Sequence, residues 1–222
     1  MILGIDDAGR GPVIGPMILA GCLIDEKTEK EFSKLGIKDS KQLTQKRREV
    51  LAEKIKAGAE TFEVALTFPE EIDRTNHEGI NLNELEAIKT AEIINKINKG
   101  FKKIKVVVDC PSVSIEKWQD LLKTKITNLS NLEISCEHKA DKNHVAVSAA
   151  SILAKCLREK EMTKLKKVYG ETIGSGYTSD PVTRKFLEQN HQRYENKGIF
   201  RKTWATWKNV VSKNKQRKLG EF

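Results

Sequence analysis

Ile2-Leu3-Gly4-Ile5 runs directly into Asp6 and Asp7 and on into Ala8-Gly9-Arg10-Gly11-Pro12, which sets two adjacent carboxylates beside a glycine-flanked arginine. The apolar run reads as a buried strand, and carboxylates at its end carry a large desolvation cost unless a cation meets them. Gly9 and Gly11 can adopt backbone conformations closed to other residues, so N–H groups around Arg10 can converge on an anion or a sugar hydroxyl. A second strand, from Lys103 through Val108, ends in Asp109, and a third, from Leu132 to His138, leads through Lys139-Ala140 to Asp141. Carboxylates drawn from separate strands suit Mg2+ or Mn2+, hard ions that take oxygen ligands. Two such ions roughly 4 Å apart can activate a water and stabilise the departing oxygen of a phosphodiester. On residue type alone another reading stays open: Asp141 can cap the helix that follows it, and Asp109, before Pro111, can close a turn.

Lys and Arg number 40 against 31 acids, a net charge of +9 that favours a polyanionic partner, nucleic acid first. No apolar run approaches the roughly 18 residues of a membrane span, and no signal-peptide pattern follows Met1. A cytoplasmic, soluble monomer with no membrane association is therefore expected. Cys22, Cys110, Cys136 and Cys156 form no Cys-x-x-Cys pair and sit beside apolar segments, where thiols act as small hydrophobes. His77, His138, His144 and His191 show no spacing suited to a triad or a zinc site.

The elements that must position these acids follow from the apolar pattern. A strand from Val13 to Ile24 follows the first closely enough to form an antiparallel hairpin, and Thr61 to Phe68 alternates as a third strand of a meander. Between them, Thr44 caps an amphipathic helix reaching Ala57. Leu82 to Ile97 is helical in period, and as a crossover it makes the strand ending at Asp109 parallel to a neighbour. Val145 to Leu165 reads as a helix whose Ala146, Ala149, Ala150 and Ala154 permit close approach to the sheet. A loop from Gly170 to Pro181 precedes shorter helices bearing Phe186, Leu187, Trp204 and Trp207. The fold class is α/β, a mixed sheet flanked by helices with a small helical C-terminal appendage. Side chains alternate along a strand, so Asp6 and Asp7 serve one centre only if the strand breaks at Asp7.

Gly4 to Pro12, Asp39-Ser40-Lys41, Val108-Asp109, Glu137 to Asp141, Ser148 to Lys155 and Gly174 to Pro181 together resemble ribonuclease HII, particularly its archaeal form. The blocks keep the family's order across nearly the whole chain. The resemblance implies a ribonuclease-H-like fold over residues 1–169, a helical substrate-binding appendage over 170–215 and a clamp-binding tail over 216–222. It also implies cleavage of RNA in RNA/DNA hybrids and of ribonucleotides embedded in duplex DNA, a role in replication and ribonucleotide excision repair, and 5'-phosphate and 3'-hydroxyl products. Asp6, Asp7, Asp109 and Asp141 fill the family's four catalytic, metal-binding positions.

Other positions carry over as substrate contacts. Gly9, Arg10 and Gly11 resemble the element that contacts the 2'-hydroxyl, and Tyr177 the aromatic that stacks on the next deoxyribose. Lys41 is a candidate phosphate contact. Ser148 is a candidate substrate contact, for which packing of a small residue is an equal explanation. For Arg48 a solvated helix face is the simpler reading. Gln216, Leu219 and Phe222 resemble the sliding-clamp-interacting motif, which inserts apolar anchors into a pocket.

One acid departs from the family pattern. The family ordinarily has Glu where this chain has Asp7, and the missing methylene withdraws the oxygens by about 1.5 Å on standard bond lengths. Three outcomes are open: binding through water, compensation by the backbone, or weakened turnover. The last leaves a clamp-tethered nucleic-acid-binding protein as an alternative, and another nuclease or integrase-like enzyme of the same fold is a further one. An Asp7→Glu variant is expected to shift the preference between Mg2+ and Mn2+; identical metal dependence of cleavage in the two proteins counts against that shift.

Overall fold

The structure is a computed structural model that describes residues 1–37 and 43–219, the side chains of 214–219 excepted. Five strands form one sheet in the order β3-β2-β1-β4-β5, with β1 at Ile2–Ala8, β2 at Met17–Ile24, β3 at Thr61–Thr67, β4 at Ile104–Asp109 and β5 at Leu132–Glu137. β1 and β2 are antiparallel, with Asp6 opposite Ala20 and Asp7 opposite Leu19. β1 and β4 are parallel, as the intervening helix requires, with Ile5 opposite Val108. β5 extends the parallel part, with Asp109 opposite Glu137. This register delivers Asp6 and Asp109 to the same end of adjacent strands.

The helices are α1 (Glu26–Lys34), α2 (Gln45–Gly58), α3 (Pro69–His77), α4 (Leu82–Ile97), α5 (Ile115–Thr124), α6 (Ala140–Asn143), α7 (Val145–Tyr169), α8 (Pro181–Tyr194) and α9 (Ala205–Leu219). The expected cap of α2 is present, since the Thr44 hydroxyl accepts the Arg47 N–H at 3.3 Å. Among the described residues no helix is long and apolar enough to cross a membrane.

Two compact units divide the chain. The first comprises Met1–Ala8, Ile18–Leu66 and Asn81–Leu157, and it contains the sheet. Every residue of β2 is buried, as expected of a strand covered on both faces. One core joins Ile18, Cys22 and Ile24 of β2 to Leu51 and Ile55 of α2 and to the alanine face of α7. The close approach foreseen from those alanines is extreme at Gly4, where an added Cβ would lie 2.1 Å from the Ala146 carbonyl carbon and 2.2 Å from the Val147 nitrogen. The four thiols are buried and unbridged, and burial pushes those of Cys22 and Cys136 up to about 12.

The second unit comprises Gly9–Met17, Thr67–Ile80 and Arg158–Phe222. Its core gathers Ile14, Phe186, Leu187, Phe200 and Trp207, with the Phe200 and Trp207 rings 4.9 Å apart. Here one expectation needs correction and one element is new. The strand read from Val13 begins only at Met17, because Gly15 takes a left-handed φ of +85° and Pro16 has no N–H to give; Ile14 instead forms an isolated bridge with Phe200. Helix α3 was not read at all. Pro69 and the first-turn acids Glu70 and Glu71 are a start signal for it, but its Phe68 N-cap makes no side-chain capping bond and only four of its nine residues are buried, so its apolar period is weak.

Gly4→Ala is expected to destabilise the protein by about 3 kcal/mol, because the new methyl meets helix backbone that cannot rotate away. Urea denaturation measures this, and a loss within about 0.5 kcal/mol of zero would show that α7 can recede from the sheet.

Candidate active site

Asp6 lies on the face of β1 that meets α7 and is 7% exposed. Its carboxyl is pushed up to about 8, first by burial, then by the neighbouring Asp7 charge and further by Asp109. A hydrogen bond with the Ser151 side chain on α7 and the Asp7 N–H, donated to Asp6 Oδ1 at 2.8 Å, oppose that rise without cancelling it. Asp109 in turn accepts the Ala140 N–H on Oδ1 at 3.1 Å, which draws the start of α6, and with it Asp141, toward the end of β4. Asp141 is 4% exposed. Asp6 and Asp109 are thereby coupled by charge, and the Ala140 amide ties the turn that carries Asp141 to Asp109.

The turn that presents Asp141 is held by residues given no role in the sequence reading. Lys139 adopts a left-handed φ of +59°, a conformation costing about 1 kcal/mol in a non-glycine residue, and so aims the following amide at Asp109. Ser135 Oγ donates to Glu137 Oε1 at 2.7 Å, and His144 Nε2 lies 2.9 Å from Glu137 Oε2. Together these hold the Glu137 pKa below the usual range. The His138 ring sits 3.2 Å from the Cys110 carbonyl. These brackets tie the residues on both sides of Asp141, and a Glu seven residues before a His was the signal available for them.

Several expected site residues take other positions. β1 does not break at Asp7: the strand continues to Ala8 with Asp7 registered against Leu19, so Asp7 keeps the alternate face while its charge acts on Asp6. Of the two readings of Ser148, the packing of a small residue is the one its position favours. It is fully buried, and its hydroxyl donates to the Asp141 carbonyl, so it serves the turn rather than a ligand. Arg48 donates to the Leu43 carbonyl at the start of its own helix. Lys41 and Phe222 lie outside the described residues, and of Gln216 and Leu219 only the helical backbone of α9 is described.

Among the described residues no three acidic, His or Cys side chains form a group ready to hold a metal ion. The donor chemistry nevertheless fits one. Asp6, Asp109 and Asp141 offer oxygen alone, and a carboxylate whose ionised form is disfavoured by burial and by two like charges is relieved by a divalent cation. An ion that draws its remaining ligands from water and phosphate needs few from protein.

In the second unit, Gly9-Arg10-Gly11 is held by its carbonyls. Arg201, fully buried, donates to Gly9 O and Arg10 O at 2.6 Å each, and Trp204 Nε1 donates to Gly11 O at 3.1 Å. Gly9 has a φ of +83°, and a Cβ there would sit 2.6 Å from the Arg158 side chain. Arg158 donates to the carbonyls of Pro16, Ile14 and Ser175 and lies 5.4 Å from the centre of the Tyr177 ring. Tyr177, 42% exposed, follows Gly176, where a Cβ would collide with Ile14 O. Asp180 secures this loop by accepting the Ser175 N–H and hydroxyl at 2.8 Å, which lowers its own pKa to about 2.

Residues 3–207 match the family model described as Ribonuclease HII. The chain belongs to the ribonuclease HII family. Ribonuclease HII of Methanococcus maripaludis strain C5 is 43% identical over 225 residues, covering all of this chain and 92% of the relative. The crystal structure of ribonuclease H2 from Pyrococcus horikoshii OT3 superposes with a TM-score of 0.85 at 39% identity, covering 96% of this chain and 97% of that one. A structure of the PCNA:RNase HII complex from Archaeoglobus fulgidus matches with a TM-score of 0.82 at 38% identity, covering 95% and 96%. Membership of ribonuclease HII makes this chain a nuclease, a hydrolase acting on nucleic acid, with the ribonuclease-H-like fold expected from its motifs.

A carboxyl raised from 3.8 to about 8 keeps a proton in the folded protein that the unfolded chain has already lost, so its contribution to stability declines as pH rises through that interval. In chelator, the melting temperature of the protein is expected to fall between about pH 5 and pH 8, and Asp6→Asn to flatten the decline. Added Mg2+ or Mn2+ is expected to raise it most at the alkaline end, and parallel pH profiles for the two proteins would refute the buried charge.

Proposed function

We propose that this chain hydrolyses the RNA strand of RNA/DNA hybrids and single ribonucleotides embedded in duplex DNA, leaving 5'-phosphate and 3'-hydroxyl ends. The observation that carries the reading is the convergence of Asp6, Asp109 and the Asp141 turn at the end of adjacent parallel strands. Asp7, on the alternate face, adds its charge to the same strand end. Mg2+ or Mn2+ ions held by these acids would lower the pKa of a water and neutralise charge on the departing oxygen. The protein's own part is orientation. Ser151 holds Asp6, the Ala140 amide holds Asp109, and Ser148 fixes the Asp141 carbonyl.

Ribose recognition falls to the second unit's loop and ring. With their carbonyls engaged by Arg201 and Trp204, Gly9, Arg10 and Gly11 offer amides to a 2'-hydroxyl, which both donates and accepts hydrogen bonds. The exposed part of the Tyr177 ring supplies a stacking surface for the following deoxyribose. The Gln216, Leu219 and Phe222 pattern supports docking to a sliding clamp, and the complex of the Archaeoglobus fulgidus protein with PCNA supports the same reading.

Cleavage of a duplex carrying one ribonucleotide, with Mg2+ or Mn2+ and the product ends mapped, tests the proposal. Absence of product with both ions overturns it. Asp109→Asn and Asp141→Asn are each expected to lower kcat by about 10^3 or more, the loss of several kcal/mol of transition-state stabilisation, with little change in melting temperature. Tyr177→Ala is expected to reduce cleavage at a single ribonucleotide more than cleavage of a continuous hybrid, and equal losses on the two substrates exclude a junction role. Deleting Leu219 and Phe222 should abolish clamp binding in a pull-down while leaving hydrolysis unchanged.

A further inference from the structure

We infer that Asp73, on α3, is a positioning residue for ribose discrimination that acts through Arg201 on the Gly9-Arg10-Gly11 loop; the inference rests on the reading of that loop as the 2'-hydroxyl contact. Asp73 is 9% exposed. Its Oδ2 accepts the Lys202 N–H at 2.7 Å, and its Oδ1 accepts the Thr203 N–H at 2.9 Å and the Thr203 hydroxyl at 2.6 Å. Three charge-assisted bonds from consecutive residues fix the backbone immediately after Arg201. On the other side, the Arg201 N–H donates to Val13 O at 2.9 Å, and Trp204 N–H donates back to Arg201 O at 3.2 Å. Residues 201–204 thus form a strap pinned at both ends.

What the strap controls follows from peptide geometry. Each trans peptide plane carries one residue's carbonyl and the next residue's N–H in opposite directions. Arg201 holds Gly9 O and Arg10 O at 2.6 Å each, and it also donates to Gly15 O at 2.9 and 3.2 Å. Fixing the first two carbonyls fixes the Arg10 and Gly11 amides, which point away from the guanidinium. Trp204 adds the Gly11 carbonyl, and the guanidinium lies 5.0 Å from the centre of the Trp204 ring, so one side chain locks the other. A strap displaced by loss of Asp73 turns those planes, and the amides with them, while leaving the acids of the first unit chemically unaltered.

The test compares affinity for two duplexes, one all-DNA and one with a single ribonucleotide, in Ca2+ with the full-length protein. The ratio of the two dissociation constants reads ribose discrimination without turnover. Asp73→Ala is expected to lower that ratio about tenfold and to raise KM on the ribonucleotide duplex while kcat stays within about threefold, the scale of effect produced by a misplaced contact. Asp73→Asn, which keeps the shape and one accepting oxygen, should lose less in the same direction, and it serves as the measured variant if the alanine protein does not fold. Gly9→Ala, which strikes the loop itself, is the reference. If Gly9→Ala lowers the ratio and neither Asp73 variant does, the positioning role is overturned while the loop assignment stands. An unchanged ratio in all three overturns the loop assignment and this inference with it, and equal weakening toward both duplexes reduces Asp73 to a purely structural part.

Discussion

Negative charge held in an apolar setting is the constraint on which the first unit depends. The end of a buried parallel strand pair is a place where a carboxylate is costly, and this chain puts Asp6 and Asp109 there, with Asp7 beside them and the Asp141 turn drawn in. At Asp6 the cost is partly offset by the Ser151 side chain and a backbone amide. Such an arrangement sacrifices stability in the resting protein, a cost that a bound divalent cation would relieve. The close seating of α7 on Gly4 belongs to the same logic, because Ser151 and Ser148 reach Asp6 and the Asp141 carbonyl from a helix that cannot retreat.

The second unit solves an opposite problem, that of making flexible backbone rigid. Glycines at 9 and 11 permit the loop its shape but give it no reason to keep it. Rigidity comes from two buried arginines, Arg158 and Arg201, each of which donates to several backbone carbonyls. A guanidinium suits this use because its planar fork reaches several carbonyls at once and stays charged when buried. Asp180 and Asp73 do the complementary work of collecting backbone N–H groups.

Most of the scaffold was legible because its period is strong. Leu82–Ile97 matches the expected helix, and β3, β4 and β5 fall within a residue of their expected ends. The parallel pairing of β1 with β4 followed from the crossover, and the placing of Asp6 and Asp109 at the same end of adjacent strands followed with it. What stayed hidden was contact between distant segments. Nothing local marks Arg201 as the partner of Gly9, 192 residues away, or Asp73 as the partner of Thr203. α5 buries only Trp118 and Leu122, too few apolar positions to show a period, and α3 lacks a capping signature. Ser148 stayed ambiguous for a related reason: a small polar residue on a helix looks the same from sequence whether its hydroxyl meets ligand or carbonyl.

The buried thiols carry a practical consequence. Burial pushes the pKa of two of the four up to about 12, and all four are buried. An alkylating reagent at neutral pH therefore meets almost no thiolate until an element parts, and the order in which the cysteines become labelled is a clock for local breathing. Cys22 lies in β2 and Cys156 on α7, whereas Cys110 and Cys136 flank the acidic strand end, so label appearing first at the latter pair would mark the seam between β4 and β5 as the least durable part of the sheet.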